Sequence, residues 1–132
     1  MNFGFPAEKR LKKGWQFDLV FRTGRRETGA LVRLLFLTDM GGTPKAGVAV
    51  GKKIACAAER SRGRRIMREA LRRLMPWIKD GVWVVASLKE SALDAPSCDI
   101  YRDMAMLLKR GRLMTRGWGG VRWDIDTRKN LS

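Results

Sequence analysis

Ala46-Gly47-Val48-Ala49-Val50-Gly51-Lys52-Lys53, followed after a short link by Arg60-Ser61-Arg62-Gly63-Arg64-Arg65-Ile66-Met67-Arg68-Glu69-Ala70-Leu71-Arg72-Arg73, decides the fold of this 132-residue chain. The first part reads as a strand delivering two lysines and the second as an arginine-studded helix. From residue 52 to 73, nine Lys/Arg (52, 53, 60, 62, 64, 65, 68, 72, 73) face two acids, Glu59 and Glu69, so this short stretch holds roughly half of the net charge of +15. Charge so concentrated and so uniform in sign points to a polyanionic partner.

Arg60, Arg64, Arg68 and Arg72 recur every four residues and form a ridge along one side of the helix. Ile66, Ala70, Leu74 and Trp77, joined by Met67, Leu71 and Ile78, supply an apolar side at helical periodicity. Like charges at i,i+4 cost an isolated helix a few tenths of a kcal/mol per pair, so a requirement other than helix stability retains them.

Residues 47–53, the Arg60-x-Arg62 pair and the continuation Arg64-Arg65-x-x-Arg68-Glu69-Ala70 resemble the central motif of the bacterial ribonuclease P protein component. Arg10-Leu11-Lys12-Lys13, with Phe17, Val20, Phe21 and Gly24, is similar to that family's first helix and the turn that ends it. The likeness runs from about residue 9 to about residue 110. Three positions depart from the family pattern. Ser61 stands where Asn is usual, Gly63 where a branched apolar residue is usual, and Arg64 where Lys is most frequent. Glycine inside a helix costs about 1 kcal/mol relative to Ala, so Gly63 is expected to loosen or bend the helix or to let RNA approach its backbone.

The resemblance implies an accessory subunit of an RNA-processing enzyme, with the catalytic centre and its Mg2+ in the RNA subunit. Such a subunit assists endonucleolytic removal of the 5′ leader from precursor tRNA. Composition agrees on the negative side. The chain has no histidine, which removes the commonest general acid–base near neutral pH and a usual zinc ligand. Its acids are scattered, and Cys56 and Cys98 form no Cys-x-x-Cys pair. No catalytic residue, bound cofactor or metal is therefore assigned to the protein itself.

With 45% hydrophobic residues, the chain suits one domain burying roughly two-thirds of its unfolded surface. No apolar run approaches the ~18 residues of a membrane span, and the N-terminal residues lack a secretory pattern. A cytoplasmic protein with no membrane or DNA partner is expected.

The coarse pattern is an α/β chain, an α+β sandwich with a small mixed sheet of about four strands packed with helices. Residues 13–22 read as a helix closed by Gly24 in a left-handed turn, and 30–37 and 45–50 as strands expected to pair as an antiparallel hairpin across the loop 39–44. A turn at 79–81 leads into an apolar, central strand at 82–86, and 101–110 reads as the closing helix. The resemblance further implies that the basic helix sits in a left-handed β-α-β crossover. A single RNA-binding domain spanning 1–132 is expected, its core at about 9–110. In the 111–132 extension, Val121, Trp123 and Ile125 alternate with polar residues like an edge strand, and Trp118 and Trp123 read as packing residues.

Phe17 and Phe21 lie four apart on the first helix. Spacing alone suits core packing, whereas the resemblance implies that they line a cleft for the single-stranded leader, with Phe36 as a third aromatic and Ser61, Arg64 and Arg68 on the flank. Base stacking there tolerates any leader sequence. Lys52, Lys53, Arg60, Arg62, Arg65 and Arg72, in the basic stretch, are expected to neutralise phosphates of the catalytic RNA. A structural or ribosome-associated RNA-binding protein without a linked reaction is the alternative that charge and size also fit.

Overall fold

A computed structural model of the chain describes residues 9–51 and 55–120. Lys52, Lys53 and the anticipated edge strand containing Trp123 lie outside the described residues. The arginine stretch forms helix α2, Ala57–Leu74. Its N-terminus is closed by Glu59, whose carboxylate accepts the Cys56 N–H at 3.0 Å and is held below its usual pKa by that hydrogen bond. Gly63, Met67, Ala70, Leu71 and Leu74 form the buried stripe. Trp77, expected to extend that stripe, is instead 41% exposed. Pro76 cannot continue the helix and Met75–Trp77 tightens into a 3-10 turn, so the 3.6-residue period ends at Leu74.

The other elements are helix α1 (Gly14–Thr23), strands β1 (Arg25–Thr28), β2 (Val32–Leu37), β3 (Lys45–Ala49) and β4 (Trp83–Leu88), and helix α3 (Ser97–Arg110). They build a mixed α+β fold with a four-stranded sheet in the order β1-β2-β4-β3. The hairpin expected between β2 and β3 does not form. β4 lies between them, antiparallel to β2 and parallel to β3. β4 is apolar on both faces and takes a neighbour on each edge, while α2 supplies the crossover that a parallel β3–β4 pair requires. The hairpin partner of β2 is β1, with Arg26 opposite Leu35 and Thr28 opposite Arg33.

Directly paired residues share a face of the sheet. Val32, Leu34 and Phe36, with Val84, Ala86 and Leu88, face α2 and α3 in the larger core, alongside Met67, Leu71, Ile100, Tyr101 and Met104. Leu35, Trp83 and Val85 face the other way and pack with Leu11 and Val20 beneath α1. Phe36 is therefore no cleft residue. Its relative exposure is 0%, and Leu35 is its neighbour on the α1 side, because one residue of shift along a strand exchanges the faces.

α1 crosses the sheet from one edge to the other. Its entry is fixed beside β3 by the Leu11 N–H donating to the Ala46 carbonyl at 2.9 Å, and its exit runs through Gly24 into β1. Gly24 is extended, with φ −73° and ψ 155°, not left-handed. A Cβ at Gly24 would meet the Val20 carbonyl oxygen and lie 3.0 Å from that of Phe36, so close backbone approach requires glycine there. At the opposite face, the Asp103 carboxylate of α3 accepts the Leu31 and Val32 N–H groups at 2.9 and 2.8 Å. It thereby fastens α3 to the β1–β2 connection.

Candidate RNA interface

The side of α2 away from the core carries Ser61, Arg65 and Arg68, all exposed, with Arg60 and Arg64 half-buried. These arginines have separate tasks. Arg60 donates to the Ala55 carbonyl at 2.9 Å, just before the helix, and Arg64 donates to Ser61 Oγ at 3.4 Å. Arg62 turns from this ridge toward α3, where its guanidinium donates to the carbonyls of Leu93 and Ala95. Arg72 is held by Glu69, which accepts its Nη2 at 2.6 Å and also accepts Arg73 Nε at 3.0 Å. The Arg72 hydrogen bond leads the causes that lower the Glu69 pKa. Arg65 and Arg68 make no hydrogen bond or ion pair with other described residues.

Gly63 does not open the helix to an approaching backbone. It is buried, and a Cβ there would lie 2.9 Å from Leu88 Cδ2 and 3.1 Å from Val50 Cγ2. The missing side chain lets α2 settle onto the ends of β3 and β4. Sequence alone offered two readings of this glycine, looseness and RNA access, and packing replaces both.

α1, β3 and α2 meet in a niche of about 60 Å³ lined by Arg10, Leu11, Phe17, Ala46, Gly47, Val48 and Arg68. Phe17 and Arg68, picked out from separate motifs, come together here. The Phe17 ring lies on the strand at Gly47, where a Cβ would be 2.5 Å from Cε1 and Cζ of the ring. Phe21, one turn further along the same side of α1, is 38% exposed. Beyond α1 the sheet face continues through Arg33 and Ser87, which are paired, into a broader depression also lined by Gly51, Lys89 and Ser91.

Arg26 and Arg33 were not anticipated as interface residues. Each is exposed and lies on the α1 side, Arg26 opposite Leu35 and Arg33 opposite Thr28. The available signal was Arg33 interrupting an apolar strand, in alternation with the buried Val32 and Leu34. The assembled niche has the Phe17 ring on its α1 side, with Phe21 exposed one turn further along, the Arg68 guanidinium on its α2 side and β3 as its floor. Such a surface suits a flexible polyanion carrying planar bases. Among the described residues no three His, Cys, Asp or Glu side chains cluster as a metal site, and no helix is long and apolar enough to cross a membrane.

Comparison with known proteins bears on the family and the fold. A family model described as Ribonuclease P matches residues 5–112. The ribonuclease P protein component of Symbiobacterium thermophilum is 32% identical over 108 residues, covering 81% of this chain and 94% of that protein. The corresponding protein of Xanthomonas euvesicatoria is 33% identical over 108 residues, covering 80% and 72%. In structure, the chain superposes on the RNase P protein of Staphylococcus aureus with a TM-score of 0.71 at 18% identity, covering 81% of this chain and 98% of that one. The Thermotoga maritima RNase P protein gives 0.69 at 24% identity, with 76% and 96% covered.

Proposed function

The chain belongs to the ribonuclease P protein family, and on that premise we propose that it binds the 5′ leader of precursor tRNA and the catalytic RNA together, so that the RNA subunit removes the leader. The observation that carries this reading is Phe17 seated on Gly47 beside Arg68. One groove thereby offers a stacking ring and an unpaired guanidinium to a single strand entering between α1 and α2. Phe21 extends the aromatic wall, and Ser61 and Arg64 extend the polar one.

The chemistry belongs to the RNA subunit, which holds Mg2+ at its own active site; this chain binds and orients. Holding a segment of substrate remote from the cleaved bond turns part of the encounter into an intramolecular one and fixes its direction. Arg65, exposed and without a partner among the described residues, contacts catalytic-RNA phosphates together with Lys52 and Lys53. Arg60, Arg62 and Arg72 join them with the N–H donors left over from their partners within the fold, Ala55, Leu93, Ala95 and Glu69. The positive field of the whole chain, +15 in net charge, lowers repulsion between two RNAs and so the Mg2+ concentration that cleavage needs. A cytoplasmic location follows from this role.

The test is cleavage of a 5′-extended precursor tRNA at low Mg2+ by a bacterial ribonuclease P RNA, with and without the protein, alongside a protein-only control. Cleavage at the mature 5′ end only with both components supports the proposal. Tight RNA binding without stimulation supports a structural RNA-binding role instead. Phe17→Ala with Phe21→Ala is expected to weaken binding of the precursor and spare mature tRNA. Equal weakening of both would remove the leader from this groove.

A further inference from the structure

The side of α1 opposite Phe17 and Phe21 carries a second aromatic feature that leader binding does not use. Trp15, Leu19 and Arg22 share one stripe of the helix, at i, i+4 and i+7. Trp15 is 57% exposed, and its ring lies 5.8 Å from that of Trp83, centroid to centroid, inclined at 54°. Trp83 is only 8% exposed. Its Nε1 is the one fully buried side-chain nitrogen or oxygen without a hydrogen-bond partner among the described residues. A buried indole N–H normally finds an acceptor. Half-buried Leu19, Leu37 and Met40 pack on the same cluster, giving an apolar shelf at the end of the sheet where β4 begins. Exposed Lys12 and Lys13 lie just before α1 and exposed Arg22 on the stripe itself, outnumbering the nearby exposed acids, Asp18 on the same side of α1 and Asp39 beside Met40.

We infer that Trp15 and Trp83 form a base-stacking platform for an unpaired nucleotide of the catalytic RNA. The platform fits this occupant because it combines a flat exposed ring, an unused buried donor and a basic rim. A base has a π-face for the ring and carbonyl acceptors for the indole N–H, and its phosphates suit Lys12, Lys13 and Arg22. For the buried N–H to meet a base, the exposed Trp15 has to turn from Trp83 while its ring stays against that base. The occupant is the catalytic RNA and not the leader, because the body of α1, about 10 Å across with its side chains, separates this shelf from the Phe17 and Phe21 groove. The inference rests on the proposed function in taking the leader to occupy that groove. It adds a second grip, so that RNA holds α1 from both sides.

The experiment measures affinity of the full chain for a bacterial ribonuclease P RNA alone, and separately for precursor tRNAs with long and short leaders in the assembled enzyme. Trp15→Ala is expected to weaken catalytic-RNA binding by roughly five- to a hundredfold, the range for one lost stacking contact. Trp15→Phe should restore most of it. The salt dependence and the preference for long leaders should stay as in the parent protein. Trp83→Phe keeps a ring beneath Trp15 but removes the donor, and should cost about two- to tenfold. Unchanged catalytic-RNA affinity in Trp15→Ala, or a loss confined to long-leader precursors, overturns the inference. Absence of cleavage stimulation by the parent protein would overturn the proposed function instead, and is read independently of these affinities.

Discussion

Gly47→Ala isolates the contact on which the proposed leader groove depends. Gly47 lies in the middle of β3 at a backbone angle that needs no glycine, since the only positive-φ glycines among the described residues are 41, 42, 81 and 120. Alanine should therefore gain roughly 0.5–1 kcal/mol in the strand from backbone entropy. Against this stands one obstacle. The new methyl would sit 2.5 Å from two atoms of the Phe17 ring, and its next neighbour, Leu11 Cβ, is at 3.6 Å. Real carbon contacts fall near 3.5–4.0 Å, so the ring must lift by about 1 Å or swing away. Overpacking of this kind costs about 1–3 kcal/mol, and the lower part of that range applies because Phe17 sits at the open edge of the smaller core. Net stability should change by no more than about 1–2 kcal/mol. Affinity for long-leader precursor should fall toward that of Phe17→Ala, about 1–3 kcal/mol for one stacked base. A double-mutant cycle is decisive. With Phe17→Ala already present, Gly47→Ala has no ring to displace and should cost nothing in leader affinity, a coupling of about 1 kcal/mol or more. Precursor binding with long and short leaders, together with thermal unfolding of all four proteins, supplies the numbers. Additive losses would refute the seating of Phe17 on Gly47 as the source of leader binding.

Arg62→Ala should lower stability by about 1.5–3 kcal/mol in denaturant unfolding, the range for charge-assisted hydrogen bonds to carbonyls, whereas Arg65→Ala should leave stability unchanged, weaken catalytic-RNA binding and reduce the salt slope by about 0.7–0.9. Gly63→Ile, which introduces the branched residue usual in the family, should destabilise the fold by about 1–3 kcal/mol through collision with Leu88 and Val50; Gly63→Ala, gaining helix propensity against a smaller clash, should stay within about 1 kcal/mol of the parent in thermal unfolding. Glu69 is held below its usual pKa, chiefly by Arg72, so its contribution to stability is present above the ordinary carboxylate range and is lost as pH falls through that range toward the lowered value. Glu69→Gln should flatten the acid limb of stability measured against pH by lowering the neutral plateau, by less than about 1 kcal/mol since the pair is partly exposed, and leave stability at the acid end unchanged.

The elements defined by their own periodicity were legible in the sequence. The arginine helix, the apolar strand β4 and the aromatic pair on α1 each announce themselves within a dozen residues. What escaped were relations between distant segments. The place of β4 between β2 and β3 depends on which edge of each strand is left open, and that is a property of the whole sheet. Phe36 was misplaced because a strand's two faces differ by a single residue, and nothing local in Leu34-Leu35-Phe36 separates them. The glycines mislead in another way. Sequence reads Gly24 as a left-handed turn and Gly63 as looseness, yet both are sites where a neighbour occupies the volume of a Cβ. Arg62 looked like part of a phosphate-facing run, and its side chain crosses to carbonyls some thirty residues away.

The groove itself is nevertheless written into the strands, in a form that becomes clear once their pairing is known. α1 has 10 residues and so is about 15 Å long. Four strands at ordinary spacing span about 14 Å between the outermost axes. The helix can therefore cross the whole sheet, but it covers only a band about 10 Å wide along strands that run for up to 6 residues. Under that band the α1-facing positions are apolar: Leu35 and Leu37 on β2, Trp83 and Val85 on β4. Past it the same face becomes Thr28, Arg33 and Ser87, paired side by side across the sheet, with Ala49 opposite Ser87 still packed against the smaller core. An apolar face that turns basic and small-polar within one strand has no helix to cover it. The larger core on the opposite face shows no such change, since Val32, Leu34 and Phe36 are all fully buried. Lying across the strands, α1 is thus narrow enough to leave part of the sheet as a floor, and the residues on that floor are the ones a polyanion would require.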